Sequence, residues 1–321
     1  MSGTPGKVVD IATLNAARIG NNFLTKKGLH ANAESANLLS EYVQYVLSDE
    51  NQRLPSYKVG LLMVAINQNY WPYAKQVIDG VKGLFLPGHT TEVMLWTDIP
   101  SFAEAKDVNF GATVFPTDSV EWPYPTLMRY HLFLAQEEYL KQFDYLFYLD
   151  LDMRVVGFVG DEILPKEGLM MAAHPMYWLQ DNLVPPYEPD ERSSAHIKMP
   201  GRVVSEGEKN KFQPLYAAGG FQGGKTGPFI DAMKAMRDGI DKDFDISYVA
   251  RWNDESHWNK YLSEHPPEVV LDPSYVYPDS LIQEYYVPKV WGRDFNPRII
   301  TITKPFTVSK EGGEAAKKIM L

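Results

Sequence analysis

From residue 57 onward the sequence alternates strand-like and helix-like stretches, which predicts an α/β fold whose sheet carries parallel strands. Two observations sharpen that expectation. A very apolar strand-like stretch, 145–149, runs directly into Asp150-Leu151-Asp152, and ligands of such sheets gather at the carboxyl ends of strands. Ahead of residue 57 the pattern is helical instead, with Leu38, Leu39, Tyr42, Val43, Tyr45 and Val46 spaced for one face before Pro55.

Taken in order, the alternating region predicts a strand over 58–66, a helix over 71–84, a strand over 92–97, a helix over 126–142 and the strand 145–149. The chain thus divides into a helical N-terminal extension (1–56), one large domain (57–299) and a C-terminal tail (300–321). The segment 180–213, rich in Pro, Ser, Glu and Lys, reads as a long surface loop. No internal repeat or low-complexity segment interrupts this order.

The 321 residues are enough to bury a substantial core. Hydrophobic residues make up 45% and charged residues 22%, the proportions of a folded domain. The net charge of -10 and pI of about 5.2 repel duplex nucleic acid and anionic membrane, so neither is expected as a partner. There is no cysteine, which excludes disulfides, thiolate metal sites and a cysteine nucleophile; any metal must be held by carboxylate, histidine or carbonyl. The first thirty residues hold no apolar run of signal-peptide length, and no stretch approaches the ~18 apolar residues of a membrane span. A cytoplasmic protein is expected. The aromatic content of 13% suits rings that stack on sugars and equally suits a core.

Side chains two apart on an extended segment project to the same face, about 6.5 Å apart along the strand. Asp150 and Asp152 can therefore address one divalent cation. Their hard oxygens suit Mg²⁺ or Mn²⁺, and an ion held by few protein ligands keeps positions that phosphate oxygens can fill.

Residues 217–224 read Ala-Ala-Gly-Gly-Phe-Gln-Gly-Gly, and the four glycines permit close approach of backbone to a ligand. Residues 219–226 also match the phosphate-loop pattern G-x-x-x-x-G-K-[ST] letter for letter. In a phosphate loop the Lys and Thr open the helix, whereas here Gly227 and Pro228 follow at once. The helix is expected to begin near Pro228, with Lys225 in the loop ahead of it. Further on, Arg251-Trp252-Asn253-Asp254-Glu255-Ser256-His257 reads as a helix start. With Asn253 as N-cap, Asp254 and Glu255 occupy the first turn, where the helix dipole favours the ionised carboxylate a nucleophile must be.

These three segments, together with Asp144-Tyr145-Leu146, Met153 and His174-Pro175, resemble glycosyltransferase family six in order and approximate spacing. That family comprises α1,3-galactosyl- and N-acetylgalactosaminyltransferases and includes the histo-blood-group A and B enzymes. The likeness covers roughly residues 58–280 and includes Val59-Gly60-Leu61 and 268–275. It implies a GT-A type nucleotide-sugar-binding domain, with a Rossmann-like mixed sheet flanked by helices. It also implies retaining, metal-dependent transfer of galactose or N-acetylgalactosamine from a UDP-sugar to an oligosaccharide or glycoconjugate acceptor in α1,3 linkage.

By the same resemblance, Asp150 and Asp152 hold the metal and diphosphate, with Mn²⁺ the usual ion. Val64, Ala65, Ile66 and Tyr70 form the uridine pocket, and Arg129, if a short gap is allowed, contacts the donor. Ala218, Gly219 and Gly220 border the donor sugar, while His174 and Trp252 face the acceptor. Asp254 contacts donor or acceptor hydroxyls, and Glu255 is the catalytic carboxylate. Departures occur too. Asn253 stands where the blood-group enzymes carry histidine, and the tail keeps little beyond Lys304 of the basic residues that close over the diphosphate, with Lys310 and Lys317 as substitutes. The lack of an anchor fits the family's microbial, soluble members.

Glu255 either attacks to form a glycosyl-enzyme or only stabilises the developing cation while the acceptor enters from the leaving-group side; the sequence is compatible with both. Two other classes match parts of the chain. One is a phosphate-loop nucleotide hydrolase or kinase using 219–226. The other is a noncatalytic carbohydrate-binding protein on the same scaffold, against which intact Asp150, Asp152 and Glu255 stand.

Overall fold

The computed structural model describes residues 56–67, 70–99, 111–178, 185–198, 216–280 and 297–303. The expected N-terminal helix and the tail from Lys304, with Lys310 and Lys317, lie outside the described residues.

The chain begins with β1 (Lys58–Ala65), α1 (Trp71–Leu84), β2 (Thr90–Thr97) and β3 (Thr113–Pro116). Three short helices follow, α2 (Tyr124–Leu127), α3 (Arg129–Leu134) and α4 (Glu137–Leu140), then β4 (Tyr145–Leu149). The single helix expected over 126–142 is therefore broken. At the first break Arg129 turns its own Nε onto the Thr126 carbonyl at 3.0 Å, taking an acceptor that a continuous helix would give to a backbone N–H. At the second, Gln136 leaves the helical region at φ −113° and ψ 24°.

Beyond β4 come β5 (Met153–Val155), β6 (Leu169–Ala173), β7 (Ala217–Lys225), α5 (Thr226–Asp245) and α6 (Asn253–Glu264). The short strands β8 (Val269–Leu271), β9 (Tyr277–Pro278) and β10 (Ile299–Thr301) complete the described chain. Seven strands form one sheet in the order β3-β2-β1-β4-β7-β6-β8, and β5, β10 and β9 form a small second one. All residues of β4 and β6 are buried, as strands covered on both faces must be. On one face Ala74, Val77, Ile78 and Val81 of α1 pack with Val59, Leu61 and Phe147. On the other, Phe229, Met233 and Met236 of α5 and Trp258 of α6 pack with Leu62, Leu146 and Tyr148.

The sheet is mixed because β7 pairs antiparallel with both β4 and β6, while β1 runs parallel to β2 and β4. The glycine-rich segment is thus a central strand. Residues 221–225 pair with β4, so 219–226 is the end of a strand and the first residue of a helix with no loop between them, which removes the phosphate-loop reading. Lys225 closes that strand instead of lying in a loop, its ammonium 4.2 Å from the centre of the Tyr145 ring. The helix starts at Thr226, two residues before Pro228, a position within the first turn where proline's missing N–H costs nothing.

The loop expected at the surface over 180–213 is, in its described part 185–198, fastened to the core. Asp243 of α5 accepts the Ser193 hydroxyl and the Ser194 N–H, each at 2.6 Å. Glu188, buried, accepts the Tyr248 hydroxyl at 2.8 Å and the Arg251 N–H at 2.5 Å. Among the described residues no helix is long and apolar enough to cross a membrane.

Candidate active site

The reversed direction of β7 assembles the site. Its first residues lie at the edge where β4, β6 and β1 end: Leu149 pairs with Phe221, Ala173 with Ala217, and the Asp150 N–H donates to the Gly220 carbonyl at 2.9 Å. Between the Met171–Gln222 and Ala173–Ala217 pairs, residues 218–221 bulge away from β6 while Phe221 keeps its pair on β4, a device that re-aims groups beside a site. Gln222, fully buried, holds this bulge by donating to the Gly219 carbonyl at 2.8 Å while accepting the Tyr130 hydroxyl at 2.9 Å.

Consecutive glycines then meet the two acidic centres. A Cβ at Gly219 would lie 2.9 Å from the Glu255 Cβ, so only glycine lets α6 approach this closely. A Cβ at Gly220 would run into the Met153 methyl and lie 3.0 Å from Asp150 Oδ2. Gly220→Ala is therefore expected to push the Met153 methyl and the Asp150 carboxylate aside and to lower activity, measured as kcat/KM.

Glu255 is held at both oxygens. The Gly219 N–H donates to Oε2 at 2.8 Å and the Tyr216 hydroxyl to Oε1 at 2.7 Å. Burial raises the carboxyl's pKa, these two hydrogen bonds pull it back, and Asp150 pushes it up again. One turn further along α6, Asn259 bonds the Ala217 N–H and carbonyl at 2.8 and 2.9 Å and the Glu255 carbonyl at 2.9 Å, which latches the helix to the strand.

Asn253 is not the N-cap. It is the first residue of α6 and stands at φ 51°, the left-handed region that Asn tolerates better than other non-glycine residues. Trp252 occupies the cap position, and its N–H is satisfied by the Ser256 hydroxyl at 3.1 Å. Asp254 and Glu255 are in the first turn as expected.

Asp254 is buried with Arg129, Nη1 to Oδ2 at 3.3 Å, and the same Nη1 lies 3.7 Å from Asp150 Oδ1. The guanidinium stacks 4.2 Å over the Tyr148 ring, whose hydroxyl donates to Asp150. Among the described residues neither Arg129 Nη1 nor Asp254 Oδ2 makes a hydrogen bond. Burial, with Asp150 and Glu255 nearby, pushes the Asp254 carboxyl up to about 7 against the pull of Arg129.

Asp150 and Asp152 flank the buried Leu151. Their carboxylates are the hard donors a divalent cation takes, and among the described residues no group of three or more His, Asp or Glu could complete a cage. The start of the tail passes here, with the Ile302 N–H on the Asp152 carbonyl at 2.6 Å.

Of the remaining expected residues, Ala65 and Ile66 are buried at the end of β1, Val64 is partly buried, and Tyr70 caps the start of α1. Ala218 is buried beside Gly219. His174 follows β6, its ring 5.7 Å from that of Tyr216, and burial lowers its pKa to about 4, so it is neutral at working pH. Trp252 is 45% exposed beneath the Arg251 guanidinium. Sequence reasoning missed Tyr216, Gln222 and Tyr130. The single signal for the first two is that they are the polar residues bracketing and interrupting the glycine run.

A mixed sheet flanked by helices, with an Asp-x-Asp at its central strand end and the buried Asp254 and half-buried Glu255 beside it, is that of a GT-A-like glycosyltransferase domain. Residues 39–290 match Glycosyltransferase family 6, and the chain belongs to that family. It is 29% identical over 241 residues to rat histo-blood group ABO system transferase 1, covering 73% of this chain and 65% of the rat enzyme. Mouse globoside alpha-1,3-N-acetylgalactosaminyltransferase 1 is 25% identical over 68% of this chain and 60% of its own length. The Escherichia coli O-antigen biosynthesis glycosyltransferase WbnI is 23% identical over 61% of this chain and 77% of its own. The match spans less than two thirds of these two mammalian enzymes.

Proposed function

We propose that this chain transfers galactose or N-acetylgalactosamine from a UDP-sugar to a carbohydrate acceptor, in α1,3 linkage and with retention. One observation carries the reading: the orphaned Arg129–Asp254 pair and the doubly held Glu255 converge beside Asp150 on a single sheet edge. Buried polar atoms without hydrogen bonds are costly, and donor hydroxyls would supply them to both. The choice of sugars and linkage is supported by relatives named as an alpha-1,3-N-acetylgalactosaminyltransferase and an alpha-1,3-galactosyltransferase.

Asp150 and Asp152 would hold Mn²⁺ or Mg²⁺, which when bound supplies positive charge to the leaving diphosphate. Arg129 adds a second fixed charge on the same side, and Glu255 offers its carboxylate to the anomeric carbon as oxocarbenium character develops. Val64, near the end of β1, and Tyr70, at the start of α1, would take the uridine. The exposed Trp252 ring and His174, beside Tyr216, would take the acceptor. A thermal-shift screen of UDP, ATP and GTP with and without Mn²⁺ tests the reading, since only a bound ligand raises apparent stability. UDP with Mn²⁺ should stabilise the protein most; stabilisation by ATP or GTP in its place would overturn the assignment.

A further inference from the structure

We infer that Tyr216 is a positioning residue for Glu255, holding that carboxylate ionised and in one orientation through a hydroxyl that the aromatic residues around it aim at Oε1. The inference rests on Glu255 being the reactive carboxylate of the proposed transfer. Tyr216 is buried immediately before β7, and its ring is boxed by His174 at 5.7 Å, Tyr177 at 5.3 Å and Tyr187 at 5.4 Å between centroids. Three rings on one side chain leave its χ angles little freedom. The hydroxyl therefore meets Oε1 at 2.7 Å without paying to be oriented.

Rotation of the carboxylate is stopped from the other side by the Gly219 N–H on Oε2. The helix that carries Glu255 cannot slide, because Asn259 spans the Ala217 peptide and the Glu255 carbonyl. Each carboxylate oxygen keeps a further lone pair for the sugar. The phenol stays a donor throughout the working range, since burial and the adjacent Glu255 raise its pKa far above the ordinary tyrosine value. Other charges facing Glu255 come from Asp150 at the end of β4, from its neighbour Asp254, and from Arg129 of α3, which is paired with both aspartates. Within that set the Tyr216 hydroxyl is the one side-chain donor on Glu255 among the described residues that disfavours its protonation.

The experiment is the pH profile of kcat/KM for Tyr216→Phe, with Glu255→Gln alongside. Losing a hydrogen bond to a charged acceptor should lower turnover about tenfold or more near neutrality and move the acid limb up by about one pH unit or more, because Glu255 then protonates more readily. Donor KM should hold. Replacing Tyr216 with 3-fluorotyrosine keeps the ring and strengthens the donor, so the acid limb should move down, which no packing defect would produce. An acid limb unmoved in both variants overturns the inference, whether or not turnover falls. Near-normal turnover of Glu255→Gln would instead overturn the underlying assignment of Glu255.

Discussion

Glu255→Gln is expected to leave UDP-sugar affinity nearly unchanged while lowering kcat at least about a hundredfold, because the lost charge acts mainly in the transition state. The structure makes this substitution a clean one. Gln keeps the length and shape of the side chain, and its amide oxygen can still accept from the Gly219 N–H, while the Tyr216 hydroxyl can turn to accept from the amide nitrogen. The fold should therefore be spared, and the deficit should appear in kcat and not in donor KM. Steady-state kinetics read beside a calorimetric titration of the donor distinguish the two. Near-normal kcat would reduce Glu255 to an acidic residue well placed at a helix start.

Asp150→Ala is expected to abolish transfer and to remove the Mn²⁺-dependent part of UDP binding, since one remaining carboxylate cannot both hold an ion and orient a diphosphate. Its loss also strips Arg129 Nη1 of one of two carboxylates and the Tyr148 hydroxyl of its acceptor, so some destabilisation should accompany it. Asp152→Ala separates the effects. It touches neither of those contacts, and it should lose Mn²⁺-linked UDP binding with the same severity. Thermal shifts with UDP, with and without Mn²⁺, provide the measurement alongside activity. Undiminished turnover of the wild type in EDTA would sink the metal assignment outright.

How much of this site could be read in advance depends on how local each feature is. The helix over 71–84 and the strand over 145–149 have the expected bounds, and the strand predicted over 58–66 ends one residue earlier. Each carries its own signal, a proline in the first helical turn or an unbroken apolar run, that needs no distant partner. Asp254 and Glu255 fall in a first turn for the same reason. The helix over 126–142 fails because Arg129, recruited toward two aspartates far along the chain, uses its Nε on the helix's own backbone. Asn253 fails as a cap because the helix starts one residue earlier: Asn253 is its first residue, in the αL conformation, and the cap position falls on Trp252.

What the sequence by itself determined is the α/β alternation, the acidic pair closing a buried strand and the carboxylates opening a helix, since these are properties of neighbours in the chain. The direction of β7 was decided only by the tertiary structure. A glycine run has no side-chain periodicity to reveal a strand, still less one that runs against both its neighbours. That reversal sets Gly219 against Glu255 and Gly220 against Asp150, joins Tyr216 to a carboxylate 39 residues on, and leaves Arg129 and Asp254 buried together. Side chains so far apart in sequence find each other through the packing of the whole sheet, a constraint that no short window of residues contains.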